Sequence, residues 1–462
     1  MVRRIDHEPP GTGPAAIMNR IISMVLLLVV IAGLFGINRL NTTLVEKRRV
    51  LGITQADPRI NAPPLVVFTT VALGGFRGII ADMLWMRSSR LQQEGKYFEL
   101  VQLADWITKL EPRFTDVWAY HAWNLAYNIS VLFTDPVDRW RWVRHGITLL
   151  RDEGAVYNPE EARLLYELGW FYQHKIGGNT DDAHMYYKQA WASEMETLWG
   201  GERPDYAALS SDPIRLQTAL RDYRLDPVVM QEIERAHGPL DWRMPQAHAI
   251  YWATQSKKVG SDMDAVFAER MIYQSLTDAL RRGRLFTGTQ GDRFIPSPHL
   301  ELLPYVIKAY ETAIANPVER GTAMTGYQFF LREAVVLLYL YNRESEAKQI
   351  LEKLKTIDPD IPNNIALTEF VFQTFTNRGA DLNQDQAYAS VESALYQSLM
   401  WRETGDDERA IGYEQLARLV WNQYMEPRLD KKDLRERTGL PPLSEIQDRA
   451  RQRLAESISA RP

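Results

Sequence analysis

Apolar residues in the stretch EGKYFELVQLADWITKLEPRFTDVWAYHAWNLAYN, residues 94–128, recur with a helical period. Leu100, Ala104 and Ile107 are spaced four and then three apart, which places them on one face of an α-helix. Gly95 supplies a turn before that helix, and Pro112 ends it because proline cannot continue the backbone ladder. Trp118 follows six residues past Pro112 and Ala122 ten past it, so a large and a small side chain share one turn of the next helix. Such pairs let neighbouring helices approach and interdigitate.

The same spacing returns further along the chain. Leu165 lies six residues past Pro159, with Leu168, Gly169 and Tyr172 behind it. Ala183, Tyr187 and Ala190 keep their mutual spacing but come two residues late, after an insertion at 176–179. SEAKQILEKLKTIDP sets out Ala347, Leu351, Leu354 and Pro359, and GDDERAIGYEQLA sets out Gly405, Ala410 and Ala417, with Tyr413 one place early. A weaker copy, AYETAIANP, ends at Pro317. Counted back from Pro112, Leu84, Ser88 and Leu91 fall on the large, small and large positions of a preceding helix that begins near Asp82.

This arrangement resembles the tetratricopeptide repeat (TPR), a helix–turn–helix of about 34 residues. The resemblance implies an all-α fold, a TPR-like helix-turn-helix array or α-solenoid. Repeats are expected over 81–192 and 301–425. Between them, 193–300 is rich in Gly and Pro and is expected to hold divergent helices with long loops. The charged tail, 426–462, carries a capping helix that Ser444 and Gln447 would open.

Ahead of the repeats, a polar lead (1–20) runs into IISMVLLLVVIAGLFGI, an uncharged run within 21–38. Its 17 residues rise about 1.5 Å each, enough to cross a bilayer with help from their flanks. No small-x-small cleavage site follows, so the expectation is one uncleaved transmembrane helix rather than a signal peptide. Arginine and lysine are nearly balanced on its two sides, and a single N-terminal anchor favours an extracytoplasmic body. Residues 39–80 read as a linker and membrane-proximal apolar segment. The run 65–80 contains Gly74, Gly75 and Arg77, which favours a helix against the membrane surface or over the first repeat rather than a second span.

Composition adds limits. The 462 residues are 45% hydrophobic and 24% charged, as in a folded protein. A net charge of −5 with interspersed signs leaves no footprint for nucleic acid. The absence of cysteine removes disulfides and thiolate chemistry. Thirteen Trp, 21 Tyr and 15 Phe point to large buried surfaces or adhesive grooves.

Phosphate-loop, zinc-protease, nucleophile-elbow and calcium-loop patterns are all missing, so no catalytic, cofactor or metal residues are assigned. His121 stands where the repeat usually places Leu and reads as a packed, hydrogen-bonded core residue. HGPLDWRMPQAHAIYW gathers His237, Asp241, Arg243 and His248, a set that a glycan-active helical enzyme could use for acid–base work. Its structural alternative has Asp241 capping a turn, Arg243 pairing with a carboxylate, and Pro245 starting the helix that carries His248. In the repeat family the first helix of each pair lines a concave groove. Carried over to this chain, the groove positions include Trp123 and Tyr127 after Pro112, and Arg163, Tyr166, Trp170 and His174 after Pro159. Aromatic residues and Arg dominate binding hot spots. The expected role is therefore a membrane-anchored scaffold for protein partners, with a spacer that has no groove ligand as the plainer option.

Overall fold

The structure is a computed structural model that describes residues 14–50, 76–209, 211–286, 294–376, 382 and 384–459. Among the described residues it is all-α apart from one pair of three-residue strands. The chain divides into two compact units, Met1–Leu132 with Arg144–Pro159, and Phe133–Val143 with Glu160–Pro462.

In the first unit, α1 (Pro14–Val50) contains the window Ile21–Leu44, which is long and apolar enough to cross a membrane. The helix thus starts inside the polar lead and runs through residues 39–50 of the expected linker, because nothing from Asn38 to Val50 breaks it. Residues 65–75 of the membrane-proximal run lie outside the described residues.

Helices α2 (Phe76–Gln93) and α3 (Tyr97–Leu110) form a hairpin. α2 begins six residues before Asp82, since Gly78 and Ile79 continue the turn rather than end it. Between the two helices Gly95 takes φ +70°. Gly95 N–H bonds Gln92 O at 3.1 Å and Lys96 N–H bonds Leu91 O at 2.9 Å. These two bonds satisfy the last carbonyls of α2 and turn the chain.

Helix α4 (Thr115–Trp123) follows Pro112 and passes into a π-helical turn, Asn124–Ile129. Ala81, Ile107 and Val117 make one core cluster, and Leu91, Leu100 and Leu103 make another. The indole N–H of Trp118 donates to the Pro112 carbonyl at 2.9 Å, and the Asn158 side-chain amide donates to the same oxygen at 2.9 Å. That bond explains the six-residue gap. The helix-ending proline leaves a buried carbonyl that Trp118 reaches back to satisfy.

Helix α5 (Pro136–Thr148) begins in the second unit and ends in the first. It runs on through a π-turn, Leu149–Gly154. Gly146 lies so close to α4 that a Cβ there would sit 2.7 Å from the Ala122 carbonyl.

The second unit starts with α6 (Ala162–Trp170), which also passes into a π-turn, Phe171–Ile176. Next come α7 (His184–Trp199), α8 (Tyr206–Leu209), α9 (Pro213–Asp222), α10 (Pro227–His237), α11 (Pro245–Val259) and α12 (Asp262–Arg282). Residues 193–300 are thus mostly helix. α11 is the hub, packing on both α6 and α12 and burying Ala247, Ala249, Ile250, Tyr251 and Trp252. Gly169 on α6 permits this contact, for a Cβ there would stand 3.2 Å from the Ala249 carbonyl.

Strands β1 (Arg284–Phe286) and β2 (Ile295–Ser297) pair antiparallel, with Leu285 opposite Pro296. Helices α13 (Leu303–Ala315), α14 (Arg320–Leu340) and α15 (Glu344–Ile357) then pack in sequence. After α16 (Leu367–Thr376), α17 (Gln384–Thr404) and α18 (Asp407–Leu429) form a second close hairpin.

The α14–α15 and α17–α18 turns repeat the Gly95 device. Asn342 takes φ +58° and Gly405 φ +87°, each with the same two backbone bonds. Asn342 precedes Pro359 by 17 residues, the spacing of Gly95 from Pro112. The short α19 (Lys432–Thr438) leads to α20 (Leu443–Ser459), which packs on α17 through Ile446, Ala450 and Leu454. α20 opens on Pro442 and Leu443, one residue before Ser444, so the expected Ser444–Gln447 cap is not its start.

Candidate partner-binding surfaces

Two equivalent segments carry the residues expected in the groove. Thr115–Trp123 and Ala162–Trp170 are both nine-residue helices, offset by 47 positions, and each runs into a six-residue π-turn. On the inner face the first buries Trp118, Ala122 and Leu125, and the second buries Leu165, Gly169 and Tyr172.

On the outer side, Trp123 and Tyr127 stack with ring centroids 4.8 Å apart and planes 17° from parallel. Trp170 and His174, 47 positions later, stack at 4.8 Å and 8°. Both pairs straddle the passage from α- to π-helix, where the wider turn brings rings four residues apart face to face. Trp123 is 40% exposed, and Tyr127, Trp170 and His174 are half-buried. Burial lowers the His174 pKa, and the neighbouring Lys175 adds to the effect.

Arg163 is exposed one turn before Tyr166. The Tyr166 ring meets Phe267 edge-on at 6.5 Å. The structure thus joins Arg163, Tyr166, Trp170 and His174 on α6 and its π-turn in the second unit, and Trp123 with Tyr127 on α4 and its π-turn in the first.

The histidine–carboxylate set has the structural geometry. Arg243 Nε and Nη2 bond the two Asp241 oxygens at 2.9 and 2.8 Å. The Arg243 and Leu285 backbone N–H groups donate to the same carboxylate. Burial works against the Arg243 charge, and Asp241 with Glu196 more than restores it. This clamp holds strand β1 against the loop before α11. His248 meets the Trp242 carbonyl through Nε2 at 2.8 Å and is packed among Tyr172, Trp191 and Trp242. His237 stands elsewhere, in a cavity of about 180 Å³ with Lys257, Glu269 and Lys308. Burial, then those two lysines, push its pKa down to about 4.

His121 is buried as expected, but neither ring nitrogen has a hydrogen-bond partner. Burial drives its pKa down to about 4, against a smaller opposing pull from Asp105.

Sequence reasoning missed a cavity of about 360 Å³ where Ser297–Glu301, the α14–α15 turn and the α17–α18 turn meet. Its walls include His299, Tyr341, Arg343, Asp406 and Glu408. No local pattern marks it, because three separated turns build it. Among the described residues no cluster of His, Asp and Glu is arranged to hold a metal ion.

No protein-family model, curated protein or solved structure matches the chain.

Proposed function

We propose that the chain is a membrane-tethered helical scaffold of the TPR type that holds protein partners beside the bilayer, with its body on the extracytoplasmic side. One observation carries the reading. An accessible aromatic stack recurs at a 47-residue offset, on helices whose opposite faces are packed alike. Core packing does not require these rings to be accessible, whereas flat aromatic surfaces backed by a rigid helix are suited to capturing an extended segment or a partner helix. The apolar window of α1 supplies the tether.

The test is mild-detergent purification of the full chain from native membranes, comparing wild type with Trp123→Ala and Trp170→Ala. Specific co-purifying proteins should be lost from both variants while circular dichroism and the thermal midpoint stay unchanged. Retention of the same set by both folded variants would remove the aromatic surfaces from the role. Sidedness is read by adding a membrane-impermeant thiol reagent to intact cells carrying Lys348→Cys, and labelling is expected.

A further inference from the structure

We propose that α2 rests its exposed face on an anionic bilayer surface, giving the first unit a second lipid contact besides α1. This inference relies on α1 being the membrane anchor.

α2 is apolar on two opposite sides. Ala81, Leu84, Ser88 and Leu91 face α3 and α4, which consumes one side. On the other, Ile79, Met83 and Met86 recur four and then three apart and are 52%, 61% and 64% exposed. Arg90 continues that line and Arg87 flanks it, both exposed and neither with a carboxylate at salt-bridge distance among the described residues, while Asp82 stands at the opposite margin. A helix with an apolar stripe bordered by arginines is built for the lipid interface: the stripe enters the acyl boundary and the guanidinium groups reach phosphate.

The position in the chain selects lipid over a protein occupant. Only residues 51–75 separate α2 from α1, and the last eleven of them, LVVFTTVALGG, carry no charge.

The absence of native cysteine makes single-thiol probes unambiguous. The full chain is reconstituted into vesicles containing phosphatidylglycerol and a doxyl-labelled lipid, with bimane attached at Met83→Cys, Val29→Cys or Lys348→Cys in turn. The expected result is quenching at positions 29 and 83 about threefold or more above that at 348. Arg87→Glu with Arg90→Glu should lower quenching at position 83 about twofold and leave position 29 unchanged.

Quenching at 29 but not at 83 overturns the inference and leaves the anchor standing. Quenching at neither overturns both. An intermolecular disulfide through Met83→Cys without quenching assigns the face to a second copy of the chain, which also overturns the proposal. Quenching at 83 that the arginine reversals leave unchanged overturns the anionic part of it.

Discussion

The backbone of Gly412 lies directly against the carbonyl of Leu340, so that a Cβ at Gly412 would overlap that oxygen. Helix α18 can therefore cross the end of α14 only with glycine at this point. Gly412→Ala gains about 1 kcal/mol of helix propensity. It loses more to overpacking, which costs about 1–3 kcal/mol in well-filled cores and more against rigid backbone. A net loss of stability is expected, read as a lower urea midpoint with unchanged slope.

His121→Leu should stabilise the protein. The buried imidazole has no partner for either nitrogen, and an unsatisfied buried polar group costs about 1–3 kcal/mol. The gain should grow in acid. The folded pKa of about 4 lies below the unfolded value, so the unfolded chain binds the extra proton. The penalty from His121 is smallest above about pH 6.5 and grows as pH falls toward 4, by roughly 3 kcal/mol. Urea titrations at pH 7 and pH 4.5 should show a wider gap between wild type and variant at the lower pH.

Asp181 is the hub of a buried charge cluster. Its carboxylate meets Lys175 at 2.6 Å and Arg139 at 2.9 Å, and accepts from the Ala183 N–H. Burial works to raise its pKa, but the Lys175 and Ala183 hydrogen bonds and both cations more than offset this and leave it low. Asp181→Asn takes the facing carboxylate from Lys175 and leaves Arg139 with Asp182 alone, and should cost about 3–5 kcal/mol. Adding Lys175→Met to that variant should recover part of the loss, which a double-mutant cycle measures.

Two tryptophans five residues apart should behave oppositely. Trp118 is sealed in the core and bonds Pro112 O, so Trp118→Ala should cost about 3–5 kcal/mol. Trp123 stands on the accessible side, so Trp123→Ala should cost under about 1 kcal/mol. Thermal midpoints of the two variants decide it.

What could be read from the chain follows the reach of the forces involved. Pro112 and Gly95 act on their own backbone torsions, so the ends of α3 and the turn before it were legible, and the large residue six places on proved to be the one that satisfies the proline carbonyl. The packing of α6 on α11, about 80 residues further along, depends on Gly169 meeting Ala249, and no local pattern encodes that partner. The π-turns left no sequence mark either, because they depend on how a helix is wedged against its neighbours. Loop-like composition concealed α9 and α10, where Pro213 and Pro227 begin helices instead of ending them, whereas Pro245 was legible as the start of α11. The outward rings were legible as positions, but their pairing into stacks was not.

The Pro112 carbonyl spends both of its lone pairs, one on an indole and one on an amide from a segment 46 residues away. Arg113, just beyond it, is open to solvent. A trypsin nick after Arg113 would leave the acceptor on one fragment and both donors on the other. The severed halves should still elute together on gel filtration, since what fastens this bend is its clasp and not the peptide bond running through it.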